Sequence, residues 1–348
     1  MKIAHIIFSL NMGSIENELV DIINYQSHAN HLIALFIINS KTDQDLMDQI
    51  NKDVHIVQIK RNEGSRHIFP IIKLNYLLNK WDAQVIHCHN QNIIGTLFSR
   101  HLKRKALITV YDGIADQSIN RYKKLFTVSH SLEKMALKKL VYQPKIIYGG
   151  VNLAAIPFKR NHRRESNRPF RILQINSLYQ NEYGQHLLIE ALACLHNKGI
   201  KNIWIDFIGD GESQQNLEAL TSNYQLENYI TFLRNKSRTY ICQKLKDYDV
   251  LVHPGQDEGF TLTIFEAMAA KVPVLISNTS TSMEIINQGE LGFFFTSNNY
   301  FSLANTIEHI KSMKGPDLEE MAEHAYQYVK QNHNIQTLTE SYLQHYTA

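Results

Sequence analysis

The stretch that decides the fold is residues 249–277, DVLVHPGQDEGFTLTIFEAMAAKVPVLIS. It opens with the apolar run Asp249–His253, which predicts a buried strand, and continues through a turn at Pro254-Gly255-Gln256-Asp257. A helical pattern then begins at Leu262. Pro273 ends the connection, and the apolar run Val274–Ser277 predicts the next parallel strand. Residues 249–277 therefore form a strand–loop–helix–strand unit of the kind that builds a parallel sheet.

Two carboxylates frame the loop and the helix of this unit. Glu258 precedes the helix, and Glu266 lies in its second turn, eight positions later. The helix N-terminus offers unpaired N–H groups to an anion, and acidic residues are common partners of ribose hydroxyls in such sheets. The arrangement suits a nucleotide-sugar, which has hydroxyls at both ends and phosphates in the middle. On spacing alone, two solvated glutamates are the alternative.

The whole string EGFTLTIFEAMAAKVPV resembles the E-x7-E signature of retaining glycosyltransferases of the GT-B fold, in particular glycosyltransferase family 4. The resemblance extends to the preceding Asp-Val-x-Val-x-Pro strand and to the Glu-Ala-Met-Ala helix. It implies that Glu266 holds the ribose hydroxyls of the donor and that Glu258 faces the donor sugar. It also implies that backbone N–H groups of Gly259, Phe260 and Thr261 approach the sugar and the phosphates.

Strand and helix patterns alternate along the rest of the chain, which predicts an α/β fold with parallel sheets covered on both faces. Among the expected elements are a strand over 2–9, one helix over 93–102 and a strand over 146–151, whose sequence IIYGGV resembles the family's hinge. No G-x-G-x-x-G motif follows the first strand, so dinucleotide oxidoreduction is not indicated.

The resemblance implies the GT-B architecture, with two Rossmann-like domains that face each other across a cleft. Residues 1–158 are the expected acceptor-binding domain, and residues 171–330 are the expected nucleotide-sugar-binding domain. The polar, basic segment 159–170 is typical of a linker. Residues 331–348 are expected to form a C-terminal helix that crosses back to the first domain.

The segment expected to bind the diphosphate departs from the family pattern. The family supplies an Arg and a Lys there, whereas this chain has Ser177 and Tyr183. Each missing charge-assisted contact is normally worth roughly 1.5–3 kcal/mol. The cations just beyond the strand at 229–233 are candidate replacements, although a solvated loop is the alternative; they are Arg234, Lys236 and Arg238. Gly209 and Gly211 either allow the protein backbone to approach the nucleotide closely or form a simple turn.

Two further departures lie in the first half of the chain. The family has a His near the donor sugar, in a T-x-H-x segment, and this chain has Tyr111 in its place. Tyrosine donates a hydrogen bond but is a poor base near neutral pH. The first loop resembles the family's N-M-G-G-x-E opening, which lines the cleft in the family. Here that opening has Gly13, Ser14 and Glu16, with Ser14 at the second glycine position.

Composition places the chain among globular proteins, with 44% hydrophobic and 20% charged residues. No window approaches the length of a transmembrane helix, and the N-terminus lacks the features of a signal peptide, so we expect a cytoplasmic protein. The cysteines, Cys88, Cys194 and Cys242, are far apart and are expected to be free thiols. His87 and His89 share a strand face, but no further cluster completes a metal set, so we expect neither a metal nor a cofactor.

Basic charge is concentrated in the first half of the chain. Residues 1–150 carry 19 Lys and Arg against 12 Asp and Glu, whereas the whole chain carries 36 against 33. Lys134, Lys138 and Lys139 lie on one predicted helix beside apolar residues, an arrangement that suits an anionic membrane surface. A solvated face is the alternative. Nucleic acid is not an expected partner, because no recognition motif accompanies the charge.

These observations predict a retaining glycosyltransferase that moves a hexose-type sugar from a nucleotide-diphosphate sugar to a saccharide or lipid-linked acceptor. The resemblance implies a setting in bacterial surface polysaccharide or lipopolysaccharide synthesis. The expected location of the enzyme is the cytoplasm, including a peripheral position at the cytoplasmic face of the inner membrane. One alternative is a degenerate partner subunit without turnover, which the departures at Tyr111, Ser177 and Tyr183 favour. Another is a sugar-nucleotide epimerase, which shares the two-domain plan but not the E-x7-E string.

Overall fold

The computed structural model describes residues 1–111, 119, 122, 124–162, 168–179, 183–255 and 261–347. The chain folds into two units. The first comprises Met1–Val151 and Asn332–Ala348, and the second comprises Asn152–Gln331. The boundary between the units therefore lies one residue after the Gly149-Gly150 pair, and residues 152–158 belong to the second unit.

The first unit is built on a seven-stranded sheet in which every described pairing is parallel. Its strand order is β3-β2-β1-β4-β5-β6-β7. The strands are β1 Lys2–Ile7, β2 Leu32–Asn39, β3 His55–Arg61, β4 Val85–Cys88, β5 Ala106–Val110, β6 Leu125–Thr127 and β7 Lys145–Ile146.

The second unit is built on a six-stranded sheet, again with parallel pairings throughout the described strands. Its strand order is β10-β9-β8-β11-β12-β13. The strands are β8 Phe170–Ile175, β9 Ile203–Ile208, β10 Ile230–Phe232, β11 Val250–His253, β12 Val274–Ser277 and β13 Phe293–Phe295. Two parallel α/β sheets confirm the predicted fold class.

Helices connect the strands of both sheets, as parallel pairing requires. The α-helices of the described residues are α1 Ser14–His28, α2 Gln44–Asp48, α3 Phe69–Trp81, α4 Arg100–Lys105, α5 His130–Leu137, α6 Gln185–Asn197, α7 Gln214–Asn223, α8 Arg238–Leu245, α9 Leu262–Ala269, α10 Ser280–Ile285, α11 Tyr300–Ser312, α12 Gly315–Asn332 and α13 Ile335–Thr347. Short 3₁₀ helices lie at Gln91–Thr96, Leu153–Ala155 and Asn287–Gly289. None of the described helices combines the length and the apolarity needed to cross a membrane.

The strands are apolar on both faces because both faces of each sheet are covered. Along β1, Ala4 and Ile6 pack into one buried cluster of the first unit, whereas Ile3 and Ile7 pack into the cluster on the opposite face. Along β11, Val250 and Val252 join the core of the second unit. Such near-continuous apolar runs are what made the strands predictable from the sequence.

Two predicted elements differ from the observed ones. The single helix expected over 93–102 is instead a 3₁₀ helix, Gln91–Thr96, followed by the separate helix α4. The break between them is fixed by Asn75, whose side chain accepts from the Phe98 N–H at 2.8 Å, and by Ser99, which caps α4. The strand expected over 146–151 is confined to β7, with Val151 forming only an isolated bridge to Asn334.

The C-terminal helix α13 belongs to the first unit, which confirms its predicted return. It packs along α1, where the Tyr25 hydroxyl donates to Glu340 at 3.1 Å. On the inner side of α13, Tyr342 is completely buried and Tyr346 nearly so. The last helix therefore completes the core of the first unit rather than that of the second.

Candidate active site

Several predicted donor-binding residues lie together at the carboxyl-terminal edge of the second sheet. Ser177 follows β8, Gly209 follows β9 and Arg234 follows β10. The three loops are hydrogen-bonded to each other, with the Leu178 N–H donating to the Asp210 carbonyl at 3.0 Å and the Gly209 N–H to the Arg234 carbonyl at 3.2 Å. This edge of a parallel α/β sheet is where ligands bind in such folds.

Gly209 and Gly211 are required by the approach of a neighbouring loop. Gly209 has a φ of +145°, and a Cβ atom there would overlap the carbonyl of Asn176. A Cβ atom on Gly211 would overlap the backbone of Leu178, with the Leu178 carbonyl carbon 2.7 Å away. Both glycines thus let the loops after β8 and β9 pack backbone to backbone.

Tyr183 lies at the start of α6, next to the loop that follows β11. Its carbonyl accepts from the Gln174 side chain at 3.0 Å. The adjacent Gly184 has a φ of +67°, and a Cβ atom there would lie 2.8 Å from the carbonyl of Pro254. Tyr183 therefore sits beside the turn that leads towards Glu258. Glu258, Gly259 and Phe260 themselves lie outside the described residues.

Glu266 is buried in the second turn of α9, with 4% of its surface exposed. Its Oε1 atom accepts a hydrogen bond from Arg238 Nε at 2.9 Å, and Arg238 is itself only 8% exposed. The Cys242 thiol lies 3.9 Å from the same oxygen. Arg238 therefore holds the Glu266 carboxylate in a fixed orientation inside the second unit.

The three candidate cations after β10 have different environments. Arg238 is paired with Glu266 and does not point into solvent. Arg234 is exposed, has a φ of +57° and forms no ion pair with a described residue. Lys236 lies over the ring of Tyr240 at 5.6 Å. Of the three, Arg234 is the cation most available to an anion at this edge.

Thr261 occupies the position before the first residue of α9. Its side chain is buried and makes no capping hydrogen bond to the helix. The first N–H groups of α9 therefore donate no hydrogen bond to this side chain. The missing side-chain cap is compatible with an anion site at the N-terminus of α9. That site stays a prediction.

In the first unit, the loop after β1 brings Gly13, Ser14 and Glu16 together at the start of α1. The Glu16 carboxylate folds back over Gly13, where it would overlap an added Cβ atom. Burial raises the pKa of the Glu16 carboxyl to about 7, although a hydrogen bond from its own backbone N–H acts in the opposite direction. Glu16 therefore titrates near neutral pH beside the loop predicted to line the acceptor site.

A buried polar network lies on one face of the first sheet. Alternation along the strands places His87, Thr109 and Tyr111 on the same face, and strand register sets His5 directly beside His87. The α1 residues Glu18 and Gln26 and the α13 residues Tyr342 and Tyr346 are buried with them. Sequence reasoning identified His87 and His89 but missed His5, which is 82 and 84 positions away.

All six ring nitrogens of His5, His87 and His89 have hydrogen-bond partners within the protein. His5 lies 2.9 Å from His89 and 2.7 Å from Gln26, and His89 also bonds the Tyr111 hydroxyl at 3.1 Å. His87 bonds the Tyr346 hydroxyl at 2.7 Å and Thr109 at 2.8 Å. The three histidines are close enough to hold a metal ion, but their nitrogens are already used in the network. The absence of a metal or cofactor stays a prediction.

A family model described as glycosyl transferases group 1 matches residues 156–331, which is half of the chain and nearly all of the second unit. The chain belongs to this family. The matched region contains the E-x7-E string and the Arg238–Glu266 pair, so the predicted glycosyltransferase family is confirmed at the level of group 1, whereas family 4 and the retaining mechanism stay predictions.

Individual relatives of this group 1 glycosyl transferase are distant in sequence. It is 25% identical over 200 residues to the putative colanic acid biosynthesis glycosyltransferase WcaL of Salmonella typhimurium, which covers 56% of this chain and 49% of the relative. It is 22% identical over 311 residues to the capsular polysaccharide biosynthesis glycosyltransferase CapM of Staphylococcus aureus. That match covers 78% of this chain and 79% of CapM. The match thus spans about half the length of WcaL.

A solved structure confirms the fold of this group 1 glycosyl transferase. The Anabaena protein Alr3699/HepE, in complex with UDP and glucose, has a TM-score of 0.82 over the full length of both chains at 19% identity. With two Rossmann-like units, each on a parallel sheet, the architecture is the GT-B fold that the sequence predicted.

Tyr111 of the group 1 glycosyl transferase is 4% exposed and faces the buried network. Burial raises the pKa of its hydroxyl well above the usual range, and the neighbouring Tyr342 and Glu18 act in the same direction. Such a group does not act as a base near neutral pH. Its geometry favours a role in positioning, and its predicted catalytic role stays a prediction.

Proposed function

We propose that this chain is a retaining glycosyltransferase of the family 4 type. It moves a hexose-type sugar from a nucleotide-diphosphate sugar to a saccharide or lipid-linked acceptor in bacterial surface polysaccharide synthesis. The observation that carries the proposal is the buried carboxylate of Glu266, oriented by Arg238 at the ligand-binding edge of the second sheet. The similarity to WcaL and CapM, which are named for colanic acid and capsular polysaccharide biosynthesis, supports the setting.

The donor occupies the carboxyl-terminal edge of the second sheet. Glu266 Oε2 accepts hydrogen bonds from the ribose hydroxyls, while Arg238 prevents the buried carboxylate from turning away. Arg234, together with the N-terminus of α9 at Thr261, stabilises the charge that develops on the leaving diphosphate. Glu258 faces the donor sugar. The UDP and glucose bound in the HepE structure support a nucleotide-sugar as the donor class.

The acceptor site includes the loop of Gly13, Ser14 and Glu16. Because burial raises the pKa of Glu16 to about 7, its carboxyl exchanges between neutral and charged forms near neutral pH. In the neutral form it donates a hydrogen bond to an acceptor hydroxyl, and in the charged form it accepts one. The leaving diphosphate takes the acceptor proton, so no buried base is needed at Tyr111.

A peripheral membrane location is part of the proposal. The exposed residues around α5 combine Lys134 and Lys138 with Met135 and Val141, which are 51% and 76% exposed. A surface of this kind suits the interface of an anionic bilayer, where basic residues face the lipid head groups and apolar ones enter the boundary. Such a location would bring a lipid-linked acceptor close to the enzyme.

The proposal is tested by incubating the protein with a panel of nucleotide-sugars and measuring nucleotide release with and without saccharide and lipid-linked acceptors. A glycosyltransferase releases the nucleotide of one donor, and release accelerates when the right acceptor is present. A partner subunit releases none, a possibility favoured by the inward-facing Tyr111 hydroxyl. Product anomericity, read by NMR, tests retention of configuration.

A further inference from the structure

An open cavity of about 1020 Å³ lies on the second unit, away from the candidate donor site. Its wall is the segment 153–161, which follows the boundary between the units. Its floor comes from Arg168 and Arg171 at the beginning of β8, and from Lys246 and Asp247 between α8 and β11. These positions are at the amino-terminal edge of the sheet, opposite the edge that carries Ser177 and Arg234.

The cavity is strongly cationic. Five of its lining residues are basic and one is acidic; the basic residues are Lys159, Arg160, Arg168, Arg171 and Lys246. Asp249 and Asp206 lie behind the lining, and Lys244 pairs with the one lining acid, Asp247, at 3.3 Å. Among the described residues, six cations therefore face three carboxylates, which leaves an excess of three positive charges.

The cations are held in place rather than scattered on a mobile surface. Asp249, which is 6% exposed, accepts from Lys159 at 3.1 Å and from Arg168 at 3.0 Å. Arg171 bonds Asp206 at 2.8 Å, and its guanidinium lies 4.7 Å from the centre of the Tyr248 ring. Because the buried Asp249, the partly buried Asp206 and the Tyr248 ring fix these side chains in advance, a bound anion would not have to order them.

Two of the cations have no such partner. Arg160 and Lys246 are exposed and form no ion pair with any described residue. They contribute two of the three excess charges. Apolar surface lies beside them, from Ile156, Pro157, Phe158 and Tyr326. The cavity thus combines a charged part with a part suited to hydrocarbon.

We infer that this cavity is a second anion site, which binds a ligand through a diphosphate group. A single phosphate group carries about −1.5 to −2 charge at neutral pH, so three excess positive charges suit a ligand with two phosphates. The arginines offer planar sets of donors that match phosphate oxygens. The ligand is either a soluble diphosphate or the head group of a lipid diphosphate, and the apolar surface would contact the organic part of the second.

Calorimetric titration of inorganic pyrophosphate into the full chain tests the site. We compare the wild type with the double variant Arg160→Ala/Lys246→Ala. Both substituted residues are exposed, so the core of the second unit is left unchanged. The matched control is Lys201→Ala/Lys314→Ala, which removes two exposed charges from the same unit outside the cavity. We expect the cavity variant to bind about 10-fold more weakly or worse, and the control to change by less than about twofold.

A third variant, Arg234→Ala, separates this site from the donor site. Pyrophosphate binding at the cavity should persist in Arg234→Ala, since that residue lies at the opposite edge of the sheet. Equal affinity in the two double variants, no binding to the wild type, or binding abolished by Arg234→Ala alone would each overturn the inference. Nucleotide release from the donor panel tests the proposed glycosyltransferase activity, whereas pyrophosphate titration tests the cavity. Either proposal can therefore be contradicted without the other.

A second arm identifies the source of the diphosphate. Farnesyl diphosphate is titrated beside inorganic pyrophosphate, with the same variants. Tighter binding of farnesyl diphosphate, lost in Arg160→Ala/Lys246→Ala, supports the inference and assigns a lipid diphosphate. Equal affinity of the two, again lost in that variant, supports it and assigns a soluble diphosphate. Farnesyl diphosphate binding that is unaffected by that variant contradicts the inference.

Discussion

At the scale of single residues, Arg238 pairs with Glu266 at the candidate donor site, although the two are 28 positions apart. Both are almost completely buried. Removing one partner leaves the other charge buried without compensation, which typically costs about 3–5 kcal/mol. We therefore predict that Arg238→Ala lowers the free energy of unfolding of the second unit by about that amount. The double variant Arg238→Met/Glu266→Leu should lose less.

Urea unfolding measures this loss if each unit has its own reporter. The chain has two tryptophans: Trp81 in the first unit and Trp204 in the second. In a Trp81→Phe background, Trp204 fluorescence follows the second unit. Lys244→Ala breaks the exposed pair with Asp247 and serves as the control, with an expected change below about 1 kcal/mol. Equal stabilities of Arg238→Ala and Lys244→Ala would show that the buried pair does not hold this part of the fold together.

Arg234 is the residue expected to replace the missing phosphate-binding cations. Its exposed side chain follows β10 and has no ion-pair partner among the described residues. We predict that Arg234→Ala lowers turnover by roughly 10- to 1000-fold, a loss of about 1.4–4 kcal/mol of transition-state stabilisation. Initial rates with the donor found in the nucleotide-sugar panel provide the measurement. Adding Ser177→Arg and Tyr183→Lys should restore part of the loss.

Lys201→Ala is the control for Arg234, because it removes an exposed charge of the same unit away from the site. It should turn over like the wild type. If Arg234→Ala also did so, while Ser177→Arg/Tyr183→Lys accelerated the wild-type enzyme, the loop after β10 would have no part in catalysis. The site would then be a weakened one, and the partner-subunit alternative would gain.

At the scale of elements, the buried network joins α1 and α13 to the first sheet. Burial lowers the pKa of His5 to about 4 and holds the pKa values of His87 and His89 well below their usual range. The unfolded chain therefore binds more protons than the folded one between about pH 6.5 and pH 4. We predict that the first unit loses stability as the pH falls through this window, by at most about 1.4 kcal/mol per pH unit for each histidine.

Urea unfolding in a Trp204→Phe background, with Trp81 as the reporter, measures this dependence at about pH 7 and about pH 5. Glu16 acts in the opposite direction, because its raised pKa weakens the fold as the pH rises from about 4.5 to about 7. Glu16→Gln removes that contribution. His5→Gln should make the remaining pH dependence shallower than in the parent protein. An unchanged slope in His5→Gln would contradict the assignment to the histidines.

The elements that could be predicted are those whose own residues carry a hydrophobic pattern. The strands of both sheets have near-continuous apolar runs because helices cover both faces, and their approximate positions follow from those runs. The break between the 3₁₀ helix and α4 was not predictable, because it depends on a hydrogen bond that the Phe98 N–H donates to the side chain of Asn75, 23 positions away. The place of His5 beside His87 could not be predicted either, because it depends on the register of β1 against β4.

At the scale of the whole molecule, the uneven charge predicts an interaction with anionic membranes. Co-sedimentation with phosphatidylglycerol vesicles should occur at low salt and decline as salt is added, because attraction of about 1 kcal/mol per basic residue is screened within a Debye length. Lys134→Glu/Lys138→Glu should reduce binding about 10-fold or more. Lys201→Glu/Lys314→Glu makes the same charge change on the second unit and is the control. Binding that is absent at low salt, or that both variants weaken equally, contradicts the prediction.

One sequence pattern was enough to propose the position of the candidate donor site, but the contacts within that site could not be predicted. The E-x7-E string predicted that Glu266 lies in the second turn of a helix that follows a strand. The partner of Glu266 could not be inferred, since Arg238 lies on another helix and was considered only as one of three cations for the diphosphate. Pairwise contacts across a parallel sheet depend on how distant segments pack, which single-sequence periodicity does not contain.

The central claim is that Glu266, oriented by Arg238, binds the ribose of a nucleotide. The most direct test is calorimetric titration of nucleoside diphosphates into the wild type, Glu266→Ala, Glu266→Gln, Glu258→Ala and the surface control Glu218→Gln. Thermal unfolding confirms that each variant is folded, and Glu266→Gln retains an acceptor for Arg238. Glu266→Ala should weaken binding of the preferred nucleotide by about 1.5–3 kcal/mol, more than Glu258→Ala does, and Glu218→Gln should not change it. Equal affinity of the wild type and a folded Glu266→Ala variant would contradict the claim.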